Sequence, residues 1–85
     1  MSRYRIEFRP AAIRALRKLD PPVAERIRNA LALLSVDPRP PAARPLRGRD
    51  AYRLRIGAWR VIYTIDDDRL VVLVVTAGHR RDVYG

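Results

Sequence analysis

The sequence predicts an α+β fold: an N-terminal strand, a helical hairpin and an antiparallel β-meander, in the order βααβββ, with both helices on one face of a small twisted sheet. Three observations predict it. Residues 3–9 alternate between polar and apolar, residues 13–34 carry apolar side chains at helical spacing, and residues 52–77 return to strand patterning punctuated by Gly57-Ala58 and by three consecutive aspartates.

Tyr4, Ile6 and Phe8 share one face of the first strand, with Arg3, Arg5, Glu7 and Arg9 on the other. Pro10 lacks the amide a sheet ladder needs and suits a first helical turn, and Ile13, Leu16 and Leu19 then recur along a short helix. Asp20-Pro21-Pro22 ends it and starts a second, with Asp20 as N-cap and Val23, Ile27, Ala30, Leu31 and Leu34 on one stripe. Pro38, Pro40, Pro41 and Pro45 make residues 35–46 an extended, stiffened connection. Tyr52-Leu54-Ile56 and Trp59-Val61-Tyr63-Ile65 then form a hairpin about Gly57-Ala58, and Asp66 to Asp68 form a second turn. The run from Leu70 to Ala77 is apolar on both faces, as a central strand should be.

Composition narrows the function. With 85 residues the chain is expected to be a single domain, residues 1–85, and without cysteine it has neither a disulfide framework nor a thiolate metal site. One histidine cannot build a zinc cage, so no metal or cofactor is expected. The longest uncharged apolar run falls far short of the roughly 20 residues a spanning helix needs, and the first ten residues hold no apolar signal core. The expectation is a soluble cytoplasmic protein with no membrane partner. A net charge of +9 predicts a polyanionic partner. Of the 18 cations, 17 are Arg and only Lys18 is Lys. Codon composition explains such a bias, as 11 alanines suggest, and so does phosphate binding by a planar fork of donors.

The hairpin register bears on that choice. A turn at Gly57-Ala58 pairs Ile56 with Trp59, Leu54 with Val61 and Tyr52 with Tyr63 on a core face, and sets Arg55 opposite Arg60 with Arg53 beside Ile62 on the other. Three guanidiniums are thereby expected on one open patch, with no carboxylate between Asp50 and Asp66. Like charges directly opposite each other cost about 0.2–1 kcal/mol, so folding alone does not ask for this pair. The pairing predicts that Arg60→Ala leaves the fold intact. Either the arginines splay into solvent or they form an anion site. The C-terminal Gly78-His79-Arg80-Arg81 and Tyr84 add to the set. Histidine suits proton transfer near neutrality, yet a surface histidine is as readily incidental. Tyr84 fits a nucleobase stack, a proton donor or a C-terminal anchor, and Arg80 equally an ion pair with Asp82.

These residues resemble the RelE/ParE superfamily of bacterial and archaeal toxins, the RelE branch in particular. The likeness runs through Tyr4-x-Ile6-x-Phe8, Pro45-Leu46-Arg47-Gly48, YRLRIGAWRVIY from Tyr52 to Tyr63, and GHRRDVY from Gly78 to Tyr84. It implies the toxin of a type II toxin-antitoxin system: an endoribonuclease that enters the ribosomal A site and cuts mRNA without a metal, held silent in a hetero-oligomer by a cognate antitoxin that folds on binding. It implies cleavage by attack of the 2′-hydroxyl on the adjacent phosphate. It places the catalytic group on Arg60, Arg80 and Tyr84 and RNA contacts on Arg47, Arg53 and Arg55; His79 is added here as a catalytic candidate and Arg81 as an RNA contact. Where this chain has Arg53 and Arg55, relatives often carry Lys, which can act as a base when its pKa is lowered; Arg cannot, which draws attention to His79. The alternative within the superfamily is a ParE-like inhibitor of DNA gyrase that cuts nothing.

Overall fold

The computed structural model describes residues 3–48 and 50–79. Strand β1 (Arg5–Phe8) leads into helix α1 (Pro10–Arg17) and helix α2 (Pro21–Val36), followed by β2 (Ala43–Pro45), β3 (Tyr52–Ile56), β4 (Trp59–Asp66) and β5 (Val71–His79). Proline opens both helices, as expected. Asp20 holds the N-cap position of α2, but its side chain makes no capping bond; its carbonyl accepts from Ala24 N at 2.9 Å.

The five strands lie in the order β1-β5-β4-β3-β2, with β1 parallel to β5 and every other pair antiparallel. The predicted architecture is present, with one strand more than βααβββ. The connection read as residues 35–46 is shorter: α2 continues through Val36, and Ala43 to Pro45 pair with Leu54 to Tyr52 as an edge strand. Proline is tolerated there because the outer side of an edge strand needs no donor.

Between β4 and β5 the register slips once. Ile62 pairs with Thr76 but Tyr63 pairs with Val74, so Val75 is an extra residue, a β-bulge. On one sheet face Leu54, Val61, Tyr63, Val72, Val74 and Ala77 close over Ala12, Ile27, Leu31 and Leu34 of the helices. Burial of this set is the main stabilising term, on the order of 25 cal/mol per Å² of apolar surface. The helices pack on this face alone; on the opposite one, called the open face below, Arg44 and Arg55 are exposed while Arg60 and Ile62 are buried.

A polar clamp ties the loops at one end of the sheet. Arg39 donates to both carboxylate oxygens of Asp67 (3.2 and 2.8 Å) and to the Tyr52 hydroxyl (3.2 Å), while the Tyr4 hydroxyl donates to Asp67 Oδ1 at 2.6 Å. Those bonds hold the Asp67 carboxyl down to about 2, Arg39 contributing most and Tyr4 next. Behind it the Tyr63 ring is fully buried, stacks on Tyr52 at 5.9 Å and donates its hydroxyl to the Pro38 carbonyl at 2.7 Å. Burial, with Tyr52 and Asp37 adding to it, pushes this phenol up to about 12. The proline-rich connection is thus fastened at Pro38 and Arg39 before β2 begins. Among the described residues no helix is long and apolar enough to cross a membrane.

Candidate nucleic-acid interface

The two-residue turn at Gly57-Ala58 sets the register of β3 and β4 as the sequence predicts. Gly57 supplies the left-handed conformation (φ +62°) that such a turn demands. Arg55 stands opposite Arg60, and Arg53 opposite Ile62. On the open face these positions form two rows: Arg55, Arg60 and Gly78 in one, and Arg44, Arg53, Ile62 and Thr76 in the other.

The three guanidiniums do not form one solvent-exposed patch. Arg55 is exposed and Arg53 half-buried, but Arg60 retains only 4% of its surface. Arg60 lies on an inner strand, between Arg55 and Gly78. The reasoning behind Arg60→Ala therefore needs correction. Truncation would remove the like-charge contact but also leave a void among packed neighbours. What burial adds is fixity: a guanidinium held in place needs no reorganisation when charge develops beside it.

His79 lies elsewhere. It pairs with Trp59, and its ring meets the indole edge-on, with centroids 5.7 Å apart and planes at 81°. That is the helix-packed register face, opposite the one carrying Arg53, Arg55 and Arg60. Arg47 is exposed on the loop between β2 and β3, which Leu46 N closes onto the Ala51 carbonyl at 2.9 Å. This loop adjoins the Tyr52 end of β3, whereas the Arg55–Arg60 pair lies at the Ile56 end. Arg80, Arg81 and Tyr84 lie outside the described residues.

Sequence reasoning missed Arg44, directly opposite Arg53. The signal was present in the alternation of buried Ala43 with exposed Arg44, but prolines on both sides masked it. Among the described residues no three His, Cys, Asp or Glu side chains converge as a metal site would require. A second surface feature lies away from the arginines. A groove of about 370 Å³ between β1 and the helices is lined by Phe8, Ile13, Leu16, Ala24, Ile27 and Leu31, with Arg17 and Arg28 at its margin.

The comparisons with known proteins agree with this geometry. The family model for the ParE toxin of type II toxin-antitoxin systems matches residues 6–84. The mRNA interferase toxin RelE of Escherichia coli K12 is 34% identical over 86 residues, spanning 95% of this chain and 90% of that protein. Among solved structures, the toxin-antitoxin complex RelBE2 of Mycobacterium tuberculosis superposes with a TM-score of 0.81 at 31% identity, covering 92% of this chain and 99% of that one. The intact E. coli RelBE toxin-antitoxin complex gives 0.78 at 33% identity, covering 89% and 95%. Shared strand-helix-helix-strand order, near full-length coverage and the family match together place this chain in the RelE/ParE superfamily, as a RelE-family toxin of the type II toxin-antitoxin kind.

Proposed function

We propose that this protein is a ribosome-dependent, metal-independent mRNA endoribonuclease, neutralised by a cognate antitoxin. The observation that carries the reading is the Arg55–Arg60 cross-strand pair on the open face, with Arg53 beside it. A sheet gains no stability from opposing like charges, whereas an anion seated between them relieves the repulsion and gains from both.

The chemistry asks little of the protein beyond placement and charge. An RNA 2′-hydroxyl attacks the adjacent phosphorus in line, the P–O5′ bond breaks, and a 2′,3′-cyclic phosphate and a 5′-hydroxyl result. Arg60, buried and fixed, offsets the charge that builds on the phosphorane oxygens, and Arg53 and Arg55 hold the strand. Arg80, a position the resemblance marks, is assigned to the same clamp and Arg47 to RNA contact; Tyr84 is assigned proton donation and Arg81 a further RNA contact. The placement of His79 against Trp59 argues against its taking a proton at the arginine face.

Antitoxin binding is supported by the likeness to the two toxin-antitoxin complexes above and by the groove beside β1. An apolar floor with Arg17 and Arg28 at the margin suits an acidic amphipathic segment that orders as it binds. A second reading, gyrase inhibition in the manner of ParE, is favoured by the ParE description of the matched family. One experiment separates them: primer extension on an mRNA under translation by purified ribosomes. Cuts within codons, made only when ribosomes are present, support the nuclease; intact mRNA together with inhibited gyrase supports the second reading.

A further inference from the structure

The edge strand β2 changes the shape of the basic face. Arg44 stands opposite Arg53, and a shallow cleft of about 230 Å³ is lined by Ala42, Arg44, Arg53 and Arg55. Three of the four lining residues are arginines, and no carboxylate is among them. The Arg44 guanidinium is aimed as well as charged: Nη1 donates to the Pro41 carbonyl at 2.8 Å and to the Ala43 carbonyl at 3.3 Å. Carbonyl oxygens orient the group without cancelling its charge, and its remaining donors stay available for a bidentate partner.

We propose that this cleft is a phosphate subsite in which Arg44, Arg53 and Arg55 hold a backbone phosphate of single-stranded RNA that flanks the bond to be cut. The inference rests on the reading that the open face binds RNA. Arg44 lies two strands and two residues from Arg60 in register, about 12 Å between backbones at a strand spacing of ~4.8 Å and a rise of ~3.3 Å per residue. Arg60 is buried and is not among the residues that line the cleft, so the cleft and Arg60 are assigned different phosphates of one strand. An acidic peptide fits less well. It would want apolar anchorage, and among the lining residues only Ala42 offers any, whereas the apolar groove is beside β1.

Contacts to single-stranded phosphate release counterions, each contributing about 0.7 to the slope of log K against log salt. The test uses the full chain and a 2′-O-methyl RNA heptamer, which cannot be cleaved, with binding followed by fluorescence anisotropy from low to moderate NaCl. Arg44→Gln is expected to lower the slope by about 0.7 and to weaken binding alike across sequences, and Arg44→Lys to restore most of the slope. Arg14→Gln on the exposed face of α1 should leave both unchanged. An unaltered slope in a folded Arg44→Gln protein overturns the subsite, as does an Arg44 dependence seen with a Glu-rich peptide and not with RNA. Cleavage and the subsite fail separately: a lowered slope with no ribosomal cuts sinks the nuclease alone, and cuts with an unmoved slope sink the subsite alone.

Discussion

Replacing Arg60 by methionine separates the role of its charge from the role of its bulk. Arg60 is 4% exposed, so alanine would confound a lost donor with a cavity; methionine keeps an unbranched stem of comparable length. For stability, the opposing term with Arg55 disappears, worth about 0.2–1 kcal/mol in favour of the variant. The hydrogen bonds a buried charged group makes are lost, at about 1.5–3 kcal/mol, but the desolvation of that charge, several kcal/mol, is relieved as well. Buried ionic groups replaced by apolar ones of similar volume come out neutral or better, so the net change should stay within about 1 kcal/mol. That corresponds to a melting shift of no more than about 4–8 °C for a domain of this size. For catalysis, one fixed donor aimed at developing phosphorane charge contributes about 3 kcal/mol, or roughly a hundredfold in rate. The assay is single-turnover cleavage on programmed ribosomes beside a thermal melt of the same preparation. Arg60→Lys, a point charge without the fork, should fall between the two. A folded Arg60→Met protein that cleaves within threefold of the wild type would refute the charge-stabilising role. One that unfolds would refute the view that the Arg55–Arg60 pair is a stability cost.

Three further outcomes follow from the core and the clamp. Tyr63→Phe removes the hydroxyl that donates to the carbonyl of buried Pro38 and should cost about 1–2 kcal/mol, read as a urea midpoint shift with unchanged m-value. The same phenol, pushed up to about 12, should titrate later than an ordinary tyrosine. The stability tied to it is complete below pH ~10 and is lost as pH rises through about 12. Asp67 behaves oppositely: its folded value of about 2 lies below the ordinary 3.8, so its contribution is complete above pH 4 and lost as pH falls through 2. Asp67→Asn should flatten that acid limb in denaturation curves taken between pH 2 and 6. Gly57→Ala forces a side chain into φ +62° and sets its Cβ 3.4 Å from Arg26 Nη2; a loss of about 1–2 kcal/mol is expected by chemical denaturation, and less for Gly57→Asn.

How far the sequence was legible depends on how local each determinant is. The β3–β4 pairing was readable because a two-residue turn leaves no freedom of register once its position is known, and every predicted pair from Tyr52 to Tyr63 is found. Strand β2 was not, because Pro41 and Pro45 are strand breakers in general and harmless only at an edge, which is a fact about the neighbours. The clamp joins Tyr4, Arg39 and Asp67 across separations of 28 and 63 residues, and no periodicity encodes such contacts. Arg60 was placed in the correct row but at the wrong depth. Pairing fixes which residues adjoin, not how deeply their neighbours cover them.

His79 shows how one residue can redirect a functional reading. Counting alternately along β5 from the buried Val72 and Val74 places Thr76 and Gly78 on the core face, and Ala77 and His79 on the open face with the arginines. The bulge at Val75 breaks that count. Because side chains alternate with a period of two, a single unpaired residue inverts everything beyond it. Ala77 turns into the core beside Val61, His79 comes to rest against Trp59, and Gly78 takes the position opposite Arg60. The inversion has a chemical consequence. Without it an imidazole would approach the arginine pair, whereas with it the neighbour of Arg60 on β5 has no side chain at all. The bulge therefore keeps the His79 imidazole off the face that carries Arg60 and puts the search for a proton-transfer group beyond His79.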